Sequence, residues 1–140
     1  MKIAIGCDHG GLGLKAAVSA LLATLGHEVV NHGCDSPDSV DYPGFAQSVC
    51  EAVLAGRCAR GILICGTGIG MSMAANRFKG IRAALCHELF TARMSREHNN
   101  ANVLCLGARV IGPGLAEEMV RVWMTTEFAA GRHQRRIEMF

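Results

Sequence analysis

Cys65 stands directly before Gly66-Thr67-Gly68-Ile69-Gly70, at the end of the apolar run from Gly61 to Ile64. A thiol there has two readings. Amides freed where a strand gives way to a helix favour the thiolate, which makes Cys65 a candidate base. The alternative is a small buried hydrophobe, the reading that suits Cys7, Cys34, Cys50, Cys58, Cys86 and Cys105. The glycines can turn successive N–H groups toward an anion, either a phosphate or oxyanion charge developing on a substrate, or they serve only as a tight turn. A dinucleotide fingerprint requires a small residue where Met71 stands, although Glu88 falls near the distance of a ribose-binding acid. Gly6 to Leu12 has the spacing of a triphosphate loop but puts leucine in the lysine position.

A second polar group forms around His98, which is followed by Asn99, Asn100 and Asn102 just before an apolar run. A neutral imidazole can both donate and accept a proton, as opening a cyclic sugar requires, whereas taken alone it reads as a turn histidine. His27, His32, His87 and His133 carry no comparable neighbours. Asp8 is placed either to cap a helix or, with His9, to face a ligand. Arg132 and Arg136, in the basic tail 131–140, are one helical turn apart and so able to grip one phosphate; the plain alternative is a solvated charge run. A tail beyond the last helix does not have to reach its own strand ends. If these arginines serve a site, a second subunit is their natural place of action.

The elements that would position these groups are short aliphatic runs separated by helix-length segments. Strands are predicted at Ile3 to Cys7, Glu28 to Asn31, Gly61 to Cys65, Ile81 to Cys86 and Val103 to Leu106. Helical spacing appears in Leu14, Val18, Leu21, Leu22 and Leu25, and in Leu115, Met119, Val122 and Trp123. Repeated βαβ units imply right-handed crossovers and a doubly wound, five-stranded parallel sheet covered on both faces, the α/β class. Ligands in such sheets bind beyond the carboxyl ends of the strands. Cys7-Asp8-His9, Cys65 with its loop, Cys86-His87-Glu88 and Gly107-Ala108-Arg109 all fall there.

The chain of 140 residues suits one domain, 1–140, with a sizeable core. A formal charge of +2 and 5% aromatic residues supply neither a basic stripe nor stacking platforms, so no nucleic-acid partner is expected and the ligand is small. Most of the seven cysteines lie inside apolar runs, as in Ile64-Cys65 and Leu104-Cys105-Leu106, which suits reduced thiols in a cytoplasmic protein rather than a disulfide framework. Without any C-x-x-C pair, neither a redox motif nor a cysteine zinc knuckle has its usual spacing. No run is apolar enough for a signal core or a membrane span.

Gly6-Cys7-Asp8-His9, Asp41-Tyr42-Pro43, Ile64 through Gly70, Ala74-Ala75-Asn76, Gly80-Ile81-Arg82-Ala83, His98-Asn99 and Gly131-Arg132-His133-Gln134 together resemble the ribose-5-phosphate isomerase B family, in order over nearly the whole chain. The resemblance implies a single-domain, Rossmann-like three-layer sandwich. It implies an aldose-ketose isomerase of the pentose phosphate pathway, interconverting ribose 5-phosphate and ribulose 5-phosphate without metal or organic cofactor. It also implies a homodimer with shared sites, with a tetramer made of two such dimers as the alternative. By that likeness Cys65 is the base, Gly66, Gly68, Ile69 and Gly70 belong to the anion hole, and His98 with Thr67 opens the ring. His9, Arg109, Arg132 and Arg136 hold the phosphate, while Asp8, Tyr42 and Asn99 line the pocket. Part of the family has a carboxylate base at the place of Met71, so this chain resembles the cysteine-base branch. Relatives acting on allose 6-phosphate or galactose 6-phosphate make a six-carbon substrate the alternative. A sugar-phosphate-binding module without catalysis would keep the loop and arginines but have no use for Cys65 with His98.

Overall fold

The computed structural model describes residues 1–140. Five strands form one parallel sheet: β1 (Lys2–Cys7), β2 (Glu28–Asn31), β3 (Arg60–Cys65), β4 (Ala83–Leu85) and β5 (Val103–Gly107), in the order β2-β1-β3-β5-β4. The connecting helices are α1 (Leu12–Thr24), α2 (Tyr42–Leu54), α3 (Ile69–Ala75), α4 (Leu89–Glu97) and α5 (Pro113–Thr125), with a terminal α6 (Arg132–Ile137). The doubly wound α/β fold expected from the sequence is therefore present.

Strand alternation divides the core in two. Ile3, Ile5, Ile62, Ile64, Leu104 and Leu106 point to the side covered by α1, α4 and α5. Ala4, Leu63, Cys65, Val103 and Cys105 point to the side covered by α2 and α3. Each fully buried Ile or Leu contributes roughly 1.5–3 kcal/mol relative to exposure, so both layers hold the sheet firmly. α1 buries Leu14, Val18, Leu21 and Leu22, four of the residues its spacing predicted, and stops where Gly26 takes φ +78°. In α5 the buried stripe is Ala116, Met119, Val120, Trp123 and Met124, rotated from the predicted one; Leu115 is exposed.

β4 is shorter than Ile81 to Cys86. The Asn102 side chain takes the Arg82 N–H at 2.8 Å, so a side chain replaces the ladder before Ala83. The tail beyond α5 is also more ordered than a basic run suggests. It turns sharply through Ala130 and Gly131, both at positive φ, and closes into α6.

The strand order reverses between β1 and β3, opening a crevice at their carboxyl ends. The two loops that leave these strands meet there: Asp8 N–H donates to Ile64 O at 3.1 Å, and a Cβ on Gly10 would sit 3.5 Å from Gly66 N.

Candidate functional site

Cys65 ends β3 with 5% of its surface exposed, and its Sγ accepts the Gly68 N–H at 3.1 Å. That contact needs the loop to double back on the strand end. Gly68 provides this at φ +77°, where a side chain would also strike Leu85 at 2.5 Å. The loop is then fastened from β5: Ala108 N–H donates to Cys65 O and Arg109 N–H to Gly66 O, each at 2.9 Å. Thr67 and Ile69 stand exposed at the mouth, and the Thr67 hydroxyl accepts the Ile69 N–H at 3.3 Å.

Around this loop the structure gathers most of the predicted residues. Asp8 is almost wholly buried and caps the short turn His9–Gly11, accepting Gly10 N–H at 2.9 Å. It holds the backbone of the β1 loop rather than presenting both oxygens to a ligand. His9 accepts the Val40 N–H through Nδ1 at 3.2 Å, which puts the proton of the neutral ring on Nε2, a donor suited to phosphate. The Arg109 side chain lies over Gly66, where an added Cβ would meet its Cδ at 3.4 Å and its Nε at 3.5 Å. Tyr42, first in α2, packs its ring on Gly70. A thiol, a run of amides and a guanidinium thus lie together, with the His9 imidazole on the adjoining loop, a set able to bind an anionic ligand.

His98, Asn99, Arg132 and Arg136 are not there. His98 follows α4 and precedes β5, whose start is tied to the starts of β3 and β4 through Asn102. The end of α5 lies at that same edge, since Arg60 at the start of β3 donates to Trp123 O at 3.0 Å and Met124 O at 3.1 Å. The tail continues from this point, and Ala129 N–H donates to Glu97 O at 2.9 Å. Cys65 and His98 are consequently separated by the length of the sheet, roughly 17 Å for a six-residue strand at about 3.3 Å per residue. Neither groove on the single chain includes Cys65. Both run along β4 and α4, and both are lined by Asn99.

Two residues that the sequence places at the thiol edge, without giving them a role, support the loop. His87 Nε2 lies 3.1 Å from Thr67 O, bracing the loop from the end of β4; its position just after a strand was the available signal. Gly107 accommodates the same carbonyl, which would fall 2.6 Å from a Cβ at that position. The dinucleotide alternative loses its acid as well. Glu88 caps α4, accepting the N–H groups of Phe90 and Thr91 at 2.6 Å each, and Met71 is fully buried. The Thr91 and Phe90 hydrogen bonds hold the Glu88 carboxyl below the usual carboxylate range.

The sequence profile of the ribose/galactose isomerase family matches residues 3–140. The ribose-5-phosphate isomerase B of Escherichia coli is 49% identical over 137 residues, covering 98% of this chain and 92% of its own. The D-erythrulose-4-phosphate isomerase of Pectobacterium atrosepticum is 42% identical, covering 99% of this chain and 91% of its own. Among solved structures, ribose-5-phosphate isomerase B of Clostridium thermocellum superposes with a TM-score of 0.98 at 52% identity, covering 99% of this chain and 94% of its own.

Proposed function

This chain belongs to the ribose/galactose isomerase family, and on that premise we propose that it interconverts D-ribose 5-phosphate and D-ribulose 5-phosphate with Cys65 as the base. The observation that carries the reading is the Cys65 sulfur accepting an amide of the glycine loop at 3.1 Å. In the reaction, the furanose first opens to the free aldehyde. The thiolate of Cys65 removes the proton from C2, and the electron pair forms the C1–C2 double bond as charge moves onto O1. The amides of Gly66 to Gly70 stabilise that enediolate oxygen. The thiol then returns the proton to C1 while the O2 hydroxyl proton passes to O1, leaving a ketone at C2. Phosphate binding by His9 and Arg109 orients the reacting carbons against the sulfur.

Ring opening requires a group near Thr67 that can donate and accept a proton, and one chain leaves its His98 a sheet's length away. We therefore assign His98, Asn99, Arg132 and Arg136 to the site of a second copy, in a homodimer whose two sites are each built from both chains. Seven free cysteines fit a cytoplasmic setting, and no helix is long and apolar enough to cross a membrane.

The test is Cys65→Ala. Turnover should fall by about 10²–10⁴-fold, the share of a positioned base, while calorimetric binding of ribulose 5-phosphate persists. Retained turnover rejects the base. Assaying erythrulose 4-phosphate, ribose 5-phosphate, allose 6-phosphate and galactose 6-phosphate side by side checks the substrate, which should be the pentose.

A further inference from the structure

His133 has no role in the isomerisation as described, yet its ring lies flat against that of His98, with centroids 4.2 Å apart and planes 8° from parallel. The stack joins residues 35 positions apart and depends on a specific fold of the tail. Ala129 is hydrogen-bonded to Glu97 O, Ala130 takes φ +52°, a conformation rare for any residue with a side chain, and Gly131 follows at φ +56°. His133 N–H then closes the turn on Ala130 O at 3.0 Å. The chain thus adopts an uncommon backbone conformation at the point that brings one imidazole over the other.

We propose that His133 is a positioning residue that fixes the ring plane of His98 for opening the sugar, and so couples that step to the phosphate-gripping tail. The proposal rests on the reading of His98 as the ring-opening group. His98 is half-exposed, and besides the stack its ring has one polar side-chain neighbour, Glu97, at 3.7 Å from Nε2. The same short helix carries Arg132 and Arg136. Phosphate engaged by these arginines would hold α6, and with it the plate on which His98 rests. Desolvation, then the neighbouring His98, Arg132 and Arg136, hold His133 below the usual histidine range, which suits a neutral aromatic surface; Glu97 opposes this.

Sugar chemistry separates this role from a structural one. Ribose 5-phosphate is a furanose and must be opened, whereas ribulose 5-phosphate has its C5 hydroxyl esterified and is acyclic. Exchange of a C1 hydrogen of ribulose 5-phosphate with deuterated water therefore needs the base but no ring opening. We expect His133→Ala to lower turnover of ribose 5-phosphate by about tenfold, as displacement of a catalytic group does, and to leave C1 exchange within about twofold. His133→Phe, which keeps a flat ring, should restore turnover to within about threefold of the parent protein. Equal loss in both assays, no loss in the forward assay, or a Phe variant no better than Ala overturns the proposal. His98→Asn measured alongside should lose forward turnover more than exchange. If it loses both equally, the reading of His98 itself fails and the proposal falls with it; a direction-selective His98→Asn beside an unselective His133→Ala rejects the proposal alone.

Discussion

Tyr42 lies so close over Gly70 that a methyl group on Gly70 would come within 2.6 Å of the ring Cζ and 2.8 Å of the hydroxyl oxygen. Gly70 sits in the first turn of α3, where alanine is the better helix former by about 1 kcal/mol. Gly70→Ala should therefore melt at or above the parent temperature while kcat/KM falls by about tenfold, because Tyr42 must swing away from the loop. Adding Tyr42→Ala to that variant should cost little more, since both changes disturb the same contact. Additive losses in the double variant would show that the two residues act separately.

Subunit complementation tests the shared site. Cys65→Ala protein and Arg132→Ala, Arg136→Ala protein are each expected to be nearly inactive. After subunit exchange in equal amounts, half the dimers pair the two variants, and one of the two sites in each has every group intact. About a quarter of parent activity should return if the dimer is two-fold symmetric. No recovery after exchange verified by mass spectrometry would place all site residues in one chain.

Lys15 is a buried ammonium that ties α1 to the segment after β2. It donates to Asn31 Oδ1 at 3.1 Å, Gly33 O at 3.4 Å and Cys34 O at 2.7 Å, and pairs with Asp35. Lys15→Met strands those acceptors and should lower the unfolding free energy by about 2 kcal/mol, read as a lower urea midpoint. The same segment leads to Val40, whose N–H orients His9, so KM for the sugar phosphate should rise as well. Hydrogen bonds from Lys15, then Asn31, hold the Asp35 carboxyl below its ordinary 3.8. A depressed carboxylate gives stability that is present above pH 3.8 and lost as pH falls through the folded value. That acid limb should shrink in Lys15→Met.

At the alkaline end the sign reverses. Burial pushes Cys7 and Cys50 from 9.0 up to about 11, so the unfolded chain ionises these thiols first. Their contribution is complete below pH 9 and is lost as pH rises toward 11, at up to about 1.4 kcal/mol per pH unit for each thiol. Urea midpoints of Cys50→Ala should fall less steeply than those of the parent across that window. Parallel curves would mean that Cys50 already ionises in the folded protein.

The strands, their order along the chain and the thiol edge of the site were legible because they depend on local pattern. An aliphatic run ending in Cys65 and glycines is a strand feeding a turn, and the switch-point rule brings Asp8 and Arg109 beside it. The stripe of α5 was misjudged because Leu115 fits the helical period but lies in the exposed first turn, while Ala116 contributes to the core through close packing rather than size. His133 looked unremarkable for a different reason. Its partner is brought to it by a turn at Ala130, whose positive φ no sequence preference announces. The placement of His98 at the edge of the sheet opposite Cys65 follows from where α4 ends, which no pattern in the residues around His98 announces.

On the proposed shared site, a parallel sheet with its thiol at one end and its imidazole at the other would leave an isolated chain with half a set of reagents. Specific activity should then fall on dilution below the dissociation constant of the dimer, with rate rising as the square of chain concentration in that regime. Catalysis in such a molecule reports abundance as well as substrate.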